Sequence, residues 1–319
     1  MSRVPSFFLL VPGPWTDVSV VQNAISDSGC VVREMSESLA SGEVAVELVE
    51  AEGLSDGFRL GRTGPLDDRL FAEVQRCKSA VVIELVGLLQ GWGSQLASIG
   101  RALQQAGGVA VRMESSGSPS DWETWLAQME SGTARELYEA SVIVVGDDDG
   151  TIFTCGMHVF DLPEAQVQFA DPQEAVYWLN VFSVYQIAEQ PVLASGHTFQ
   201  PDPDSTRRKL ERWPDHRHHP QDGRHNPFGV WRFLAEGEPG LQASDRTPCI
   251  TPSLVAMLVS AEKRKGSALS EAEVASLVEK APAIMIEQEK VRELERSRGY
   301  SDIEPQRAWE QWQIVRETL

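Results

Sequence analysis

Residues 141–199 contain the feature that most constrains the fold, two β-favouring runs joined by a tight turn and followed by a long apolar helix. The runs are Val142–Val145 and Thr151–Cys155, and the turn between them ends in Asp-Gly. Asp-Gly between two runs rich in β-branched residues predicts a β-hairpin. Asp171 and Pro172 predict the start of a helix that is apolar on nearly all sides, as core helices are. A hairpin packed on a buried helix is typical of an α+β domain.

The rest of residues 1–245 alternates predicted strands and helices, so we expect an α+β body in which a mixed β-sheet is packed with helices. A capping box at Ser120 and Glu123 predicts one further helix start. Residues 191–245 are rich in proline and histidine, and they are predicted to be a long ordered loop region with one strand at 229–233. The other predicted strands include Phe7–Val11, Val44–Val49, Ala80–Val86 and Val109–Met113.

After Thr247 the sequence pattern turns helical. A capping box at Ser270 and Glu273 starts one helix, a charged helix follows from Glu287, and a last helix carries Trp309 and Trp312 on one face. Residues 246–319 are therefore predicted to form a helical C-terminal module. We expect this module to be docked on the body, because its apolar faces need to be covered.

The chain carries 47 Asp and Glu against 28 Lys and Arg, a formal net charge of −19. This charge disfavours binding to nucleic acid or to an anionic membrane, because both are polyanions. It favours rapid capture of a basic partner, although a charge of this size also serves solubility. Glu47, Glu50 and Glu52 are expected on one solvent-facing side or edge of a sheet, where protection against aggregation is the simpler explanation.

Four common catalytic motifs are absent from the sequence. There is no phosphate-binding loop, dinucleotide-binding fingerprint, nucleophile elbow or H-E-x-x-H motif. The four cysteines are widely scattered without a C-x-x-C pair, which favours reduced, buried thiols in a cytoplasmic protein. The apolar run near the N-terminus is too short to span a membrane.

Three clusters contain residue types that can do chemistry. Four of the six histidines lie between His216 and His225, and imidazoles at that density can bind zinc or copper. Arg217, Arg224 and the unusual spacing favour a solvated or partner-facing loop instead, so we expect no stoichiometric zinc and no cofactor. Whether the cluster binds metal stays open at this point.

The other two clusters have simple structural explanations. Cys155 and His158 can form a nucleophile pair, but in a strand that leaves a hairpin they would point to opposite faces, which favours a buried thiol and a structural imidazole. Asp147, Asp148 and Asp149 can hold Mg²⁺ or Ca²⁺, yet they lack the spacing of a calcium loop, and aspartates are common in tight turns.

Tryptophans supply candidate anchors for a protein partner. Trp213 lies in the region rich in proline and histidine, where exposed aromatic residues commonly anchor partners. Packing of the indole onto the sheet is the alternative. Trp231 lies in the single strand predicted for the same region. We take Trp213 and Trp231 as the two candidate anchors.

The segment Gly156–Pro163 resembles the G-M-H-x-F-G-L-P motif of an uncharacterised bacterial domain family found around polymorphic toxin loci. Gly107–Val111, Glu114–Gly117 and Ser195–Phe199 extend the resemblance, which spans residues 80–200. Asp161 stands where that family more often has glycine, so the turn there is expected to differ.

With Arg298–Ile303 and Trp309–Trp312 near the C-terminus, the arrangement resembles immunity proteins of type VI secretion and polymorphic toxin systems. Such proteins pair with restriction-endonuclease-like nuclease toxins. The resemblance implies a cytoplasmic immunity protein, not an enzyme, that binds and neutralises its toxin by stoichiometric inhibition. An acidic surface would be steered to a basic toxin cleft. The candidate contact residues are Glu47, Glu50, Glu52, Asp147, Asp148, Asp149, Trp213 and Trp231. A metal- or thiol-dependent hydrolase and a chaperone or adaptor for a secreted effector remain the alternatives.

Overall fold

The computed structural model describes residues 5–35, 39–51, 53–61, 64–65, 67–215, 217–218, 222–234, 246–287, 290–291, 294, 297–298, 300, 302–303 and 305–316. The chain divides into two compact units, Met1–Gly237 and Glu238–Leu319. The predicted end of the body at residue 245 lies outside the described residues, and the predicted docking of the C-terminal module stays a prediction. Helices and mixed sheets occur together, which confirms the α+β class.

The strands of the described residues are β1 (Ser6–Gly13), β2 (Val31–Arg33), β3 (Glu43–Glu50), β4 (Leu60–Gly61), β5 (Gly64–Pro65), β6 (Ser79–Val86), β7 (Val111–Met113), β8 (Ser118–Ser120), β9 (Ile143–Gly146), β10 (Ile152–Cys155), β11 (Glu164–Val167), β12 (Thr198–Phe199), β13 (Arg208–Trp213), β14 (Val230–Leu234), β15 (Arg246–Ile250) and β16 (Ala283–Glu287). The helices of the same residues are α1 (Ser19–Asp27), α2 (Asp68–Arg76), α3 (Leu89–Gln105), α4 (Trp122–Ser131), α5 (Ala134–Ser141), α6 (Pro172–Glu189), α7 (Leu254–Lys265), α8 (Glu271–Glu279) and α9 (Ala308–Val315).

The first sheet of the Met1–Gly237 unit has six strands in the order β2-β3-β6-β1-β7-β8. Only β2 and β3 pair in parallel, while the other neighbours are antiparallel. The central strands β1 and β6 read as nearly continuous apolar runs because both faces of the sheet are covered. One face joins the large core with Leu96, Ile99 and Leu103 of α3, and the other covers a smaller cluster that includes Phe58 and Val74.

The second sheet has the order β12-β13-β14-β11-β10-β9, with β11 and β14 parallel. Its β9–β10 hairpin and the start of helix α6 match the prediction, including Asp171 as the N-cap that accepts a hydrogen bond from the Gln173 amide. The prediction of a core helix is wrong, because α6 is buried on one side only. One side of α6 buries Trp178, Leu179 and Phe182 against this sheet. The apolar residues of the opposite side, Val176 and Tyr177, remain exposed.

The region 191–245 differs most from its prediction. Its described residues contain three strands rather than one, and β12 and β13 are the two that were not predicted. In β13 only Leu210 is buried, and the strand is held by its ladder with β14. The charged residues around Leu210 conceal this alternation. Helix α4 shows a smaller difference, since Asp121 rather than Ser120 caps it by accepting a hydrogen bond from the Thr124 amide.

The Glu238–Leu319 unit contains helices α7, α8 and α9 around a core that includes Leu254, Leu258 and Trp312. The capping box of Ser270 and Glu273 is present as predicted. The unit is not purely helical, because β15 and β16 form an antiparallel pair. The predicted charged helix after Glu287 falls largely outside the described residues. Within the described part of the chain, no helix has the length and apolar character needed to span a membrane.

Candidate functional site

The β9–β10 hairpin presents three consecutive carboxylates at its tip. The Asp147 amide donates to the Thr151 carbonyl over 2.8 Å, and the Gly150 amide donates to the Asp147 carbonyl over 3.0 Å. The Asp149 carboxylate accepts a hydrogen bond from the Thr151 amide. Asp147, Asp148 and Asp149 are all exposed. The turn therefore holds its backbone closed while the carboxylates face solvent.

Arg217 ties this tip to the loop that contains the histidines. Its guanidinium lies 4.1 Å from the centre of the Phe153 ring. It also donates to Asp147 Oδ2 over 3.2 Å and to Gln166 Oε1 over 2.7 Å. Asp147 is thus part of an ion pair, and Asp148 is the acid of the tip without a hydrogen bond or ion pair among the described residues. Sequence reasoning treated Arg217 only as a repelling charge and missed this role.

Glu47 and Glu50 lie on β3 and are exposed, while Glu52 lies outside the described residues. Of the two predicted placements, a common face is wrong, because successive side chains of a strand alternate and these two are three positions apart. The other placement, a shared edge, agrees with the strand pairing. β2 pairs only with Glu43–Ala45, so in the described chain the side of Val46–Glu50 that faces away from β6 has no strand beside it.

The two candidate anchors occupy different environments. Trp213 ends β13 rather than lying in a loop, and it is half-buried. Its indole Nε1 donates to Glu211 Oε2 over 2.6 Å, and Arg232 lies over its ring. Trp231 is only 2% exposed and belongs to the core of the second sheet. Trp231 therefore cannot contact a partner from this position, which corrects its assignment as an anchor.

The segment Cys155–Glu164 forms a turn around a buried carboxylate. Gly156 has a φ of +120°, and a Cβ there would lie 2.3 Å from the Ser141 carbonyl oxygen. Glu164, 4% exposed, accepts hydrogen bonds from the Gly156 and Met157 amides, the Thr154 hydroxyl and the Asn226 side chain. These contacts fix the turn from inside.

The prediction that His158 lies in a strand is wrong, because His158 belongs to the 3₁₀ helix Met157–Phe160. Its Nδ1 is buried 3.9 Å from Glu164 Oε1 and has no hydrogen-bond partner among the described residues. Asp161 follows with a φ of +59°. This left-handed conformation favours glycine and is tolerated by aspartate, so the aspartate is compatible with the turn.

A second buried carboxylate, Asp215, lies at the start of the loop that contains His218 and His225, called here the histidine loop. It accepts hydrogen bonds from the amides of Arg217 and Asn226, and the Nδ1 atoms of His218 and His225 lie 3.5 and 3.6 Å from its Oδ2. Burial raises the pKa of Asp215, but the hydrogen bonds from His218 and the two amides outweigh it, so the pKa lies below its ordinary value. His216 and His219 lie outside the described residues.

Asn226 connects the two carboxylates. Its side chain donates to Glu164 Oε1 and to the Leu162 carbonyl, while its amide donates to Asp215. Its Oδ1 accepts from the Phe228 amide. Asn226 precedes Pro227, and an Asn-Pro pair is a recognisable turn signal. The sequence could therefore have predicted a turn at Asn226. No sequence pattern marked Glu164 or Asp215.

The surroundings of Cys155 do not activate its thiol as a nucleophile. Burial raises the pKa of the Cys155 thiol, and the Glu164 carboxylate adds to the rise, so the thiol stays protonated at neutral pH. Its Sγ donates to the Ser115 carbonyl rather than to His158. Among the described residues, no group of three or more His, Cys, Asp or Glu can hold a metal ion.

The acidic excess is unevenly distributed over the chain. Residues 1–237 carry 33 Asp and Glu against 17 Lys and Arg, whereas residues 238–319 carry 14 against 11. Most of the net negative charge therefore belongs to the unit that contains the hairpin tip and β3. Its long-range field is the electrostatic feature that a charged partner would meet.

The family model of a domain of unknown function, DUF4261, matches residues 153–222. The match begins in β10, includes the turn around Glu164 and helix α6, and ends in the histidine loop at Asp222. No curated protein and no solved structure matches the chain.

Proposed function

We propose that this chain is an immunity protein that binds a basic nuclease toxin and neutralises it stoichiometrically. The observation that carries the proposal is the acidic excess of residues 1–237, with exposed carboxylates at the hairpin tip and along β3. A nuclease must attract a polyanion, so its cleft is basic, and a strongly acidic protein is drawn to that cleft.

Inhibition by occupancy needs surface rather than a catalytic group. The protonated Cys155 thiol and the structural hydrogen bonds of Glu164 and Asp215 favour binding over thiol-dependent hydrolysis. The four cysteines are free, which supports a reducing, cytoplasmic location. An inhibitor acting there protects the nucleic acid of its own cell. The partner of this proposal is one cognate protein toxin, without nucleic acid or membrane as further partners.

The test uses the purified chain and the protein encoded by the neighbouring gene, which the proposal expects to be a basic nuclease. Nuclease activity is titrated with the chain, and the complex is sized by light scattering. We expect activity to fall linearly to zero at equimolar inhibitor. Nuclease activity that survives a large excess of the chain, or a neighbouring gene that encodes no basic protein bound by it, would contradict the proposal.

A further inference from the structure

We propose that strand β9 is a docking edge, to which an extended basic segment of a protein partner adds as a new strand of the second sheet. This proposal deepens the proposed function and rests on it for the identity of the partner. Strand addition to a sheet edge draws its affinity from main-chain hydrogen bonds and its specificity from side chains.

The register of the hairpin shows which backbone groups of β9 are free. The Asp147 amide donates to the Thr151 carbonyl in the same register as the pairs of β9 with β10. Hydrogen-bonded pairs alternate along an antiparallel ladder, so Ile143 and Val145 bond β10. The N–H and C=O groups of Val144 and Gly146 then point away from it. In the described part of the chain, β9 pairs with β10 alone.

β9 is also the terminal strand best suited to pairing. The other ends of the two six-stranded sheets are β12 with two residues, β2 with three, and β8 with three including Pro119. β9 has four residues, no proline and three partly exposed β-branched side chains. The open part of β3 is longer, but exposed Glu47 and Glu50 lie within it, and charges within an edge strand discourage pairing.

The charge next to β9 selects the chemistry of the occupant. Asp147, Asp148 and Asp149 follow the strand directly, and Asp148 is exposed without a described hydrogen bond or ion pair. An added strand that continues past Gly146 meets these carboxylates. A lysine or arginine at that end of the partner segment completes charge pairs, whereas a second copy of this chain brings another net charge of −19. The occupant is therefore a basic segment.

Hydrogen exchange of the full chain tests the edge directly. The probe is a short acetylated peptide that alternates valine and threonine between terminal lysines, with a second peptide that has terminal glutamates as its control. We expect the lysine peptide to slow exchange of the outward amides of Val144 and Gly146, and the glutamate peptide to leave them unchanged. Protection that arises only elsewhere on the chain would overturn the proposal.

Gly146 provides a matched pair of variants, because a Cβ there meets no atom within 4 Å. Gly146→Pro removes the outward N–H, whereas Gly146→Ala keeps it. We expect Gly146→Ala to bind the lysine peptide like the parent chain, and Gly146→Pro to bind about tenfold more weakly. Equal affinities of the two variants would contradict the proposal.

Asp148→Lys provides a second test of the docking edge that leaves the backbone of β9 unchanged. It should weaken peptide binding and reduce its salt dependence, while Glu189→Lys makes the same change of net charge at the end of α6 and should do neither. A dimer of the free chain that Gly146→Pro abolishes would reassign the edge to self-association. The peptide assay requires no toxin, so a negative result here leaves the immunity proposal standing, and a failed toxin titration leaves the exchange result intact.

Discussion

Two buried carboxylates, Glu164 and Asp215, hold the turn after β10 and the loop after β13 in place. Each carboxylate accepts hydrogen bonds from backbone amides, and Asn226 donates a hydrogen bond to both. A buried carboxylate is tolerated when its hydrogen bonds replace those lost from water. Single-sequence reasoning cannot find such residues, because neither spacing nor composition distinguishes them from the many solvated acids of this chain.

Gly156 tests the turn at the scale of one residue. Gly156→Ala places a Cβ against the Ser141 carbonyl at a positive φ, and we expect it to lower the free energy of unfolding by about 3 kcal/mol. Gly150→Ala also has a positive φ but meets no atom within 4 Å, so it should cost only about 1 kcal/mol. Urea denaturation of the two variants compares them. Equal losses would show that the contact with Ser141 is not the constraint.

Asp215 predicts a pH dependence of stability. Its folded-state pKa lies below the ordinary value of 3.8, so the ionised carboxylate stabilises the fold above that pH. This stabilisation is lost as the pH falls through the folded-state pKa. Asp215→Asn should therefore lose less stability than the parent chain between pH 5 and pH 3, measured by urea denaturation at each pH. Parallel pH profiles would contradict the assigned role.

At the scale of elements, the sequence predicted the strands and helices that are marked by turn or cap residues and by an apolar pattern that matches their buried face. The Asp-Gly turn and the Asp171-Pro172 start gave the hairpin and α6, because turn and cap chemistry act within a few residues. β13 was missed since its stability comes from pairing with β14, a contact distant in sequence. The β15–β16 pair was missed for the same reason, although Ala283–Ile286 is an apolar run.

The two tryptophans should separate binding from folding. Trp213→Ala should raise the dissociation rate of the toxin complex by the equivalent of about 2 kcal/mol, while leaving most of the fold stable. Trp231→Ala should instead destabilise the chain by about 3–5 kcal/mol, because it empties a buried site. Surface plasmon resonance and thermal unfolding of both variants distinguish the effects. An unchanged dissociation rate for Trp213→Ala would remove it from the proposed contact surface.

Charge reversals test the acidic elements separately. Replacing Glu47 and Glu50 by lysine, or Asp147, Asp148 and Asp149 by lysine, should slow association with the toxin mainly through the on-rate. Asp147 also pairs with Arg217, so Asp148→Lys alone is the cleaner variant of the tip. Glu189→Lys reverses one charge, as Asp148→Lys does, and is the control for that variant; the variants with two and three reversals are compared with the parent chain. If Asp148→Lys and Glu189→Lys have equal on-rates at low salt, or if a multiple reversal leaves the parent on-rate unchanged, that element does not contribute to steering.

At the scale of the whole molecule, the composition gives an acidic chain. The division into two units shows that residues 1–237 carry most of the excess of Asp and Glu over Lys and Arg. Composition cannot state which surface a partner meets, because the same charge also serves solubility. The placement of Glu47, Glu50 and Asp148 on exposed edges and turns gives the field defined sources. If these charges steer the partner, they should act mainly on the association rate.

The most direct test of that claim is the association rate of the chain with its toxin as a function of ionic strength, followed by stopped-flow fluorescence. Exposed charges are screened over about 8–10 Å at physiological salt. We predict that the on-rate falls steeply between low and high salt while the off-rate changes little. An on-rate that stays constant over the same range would contradict electrostatic capture and leave the net charge of −19 as a solubility feature.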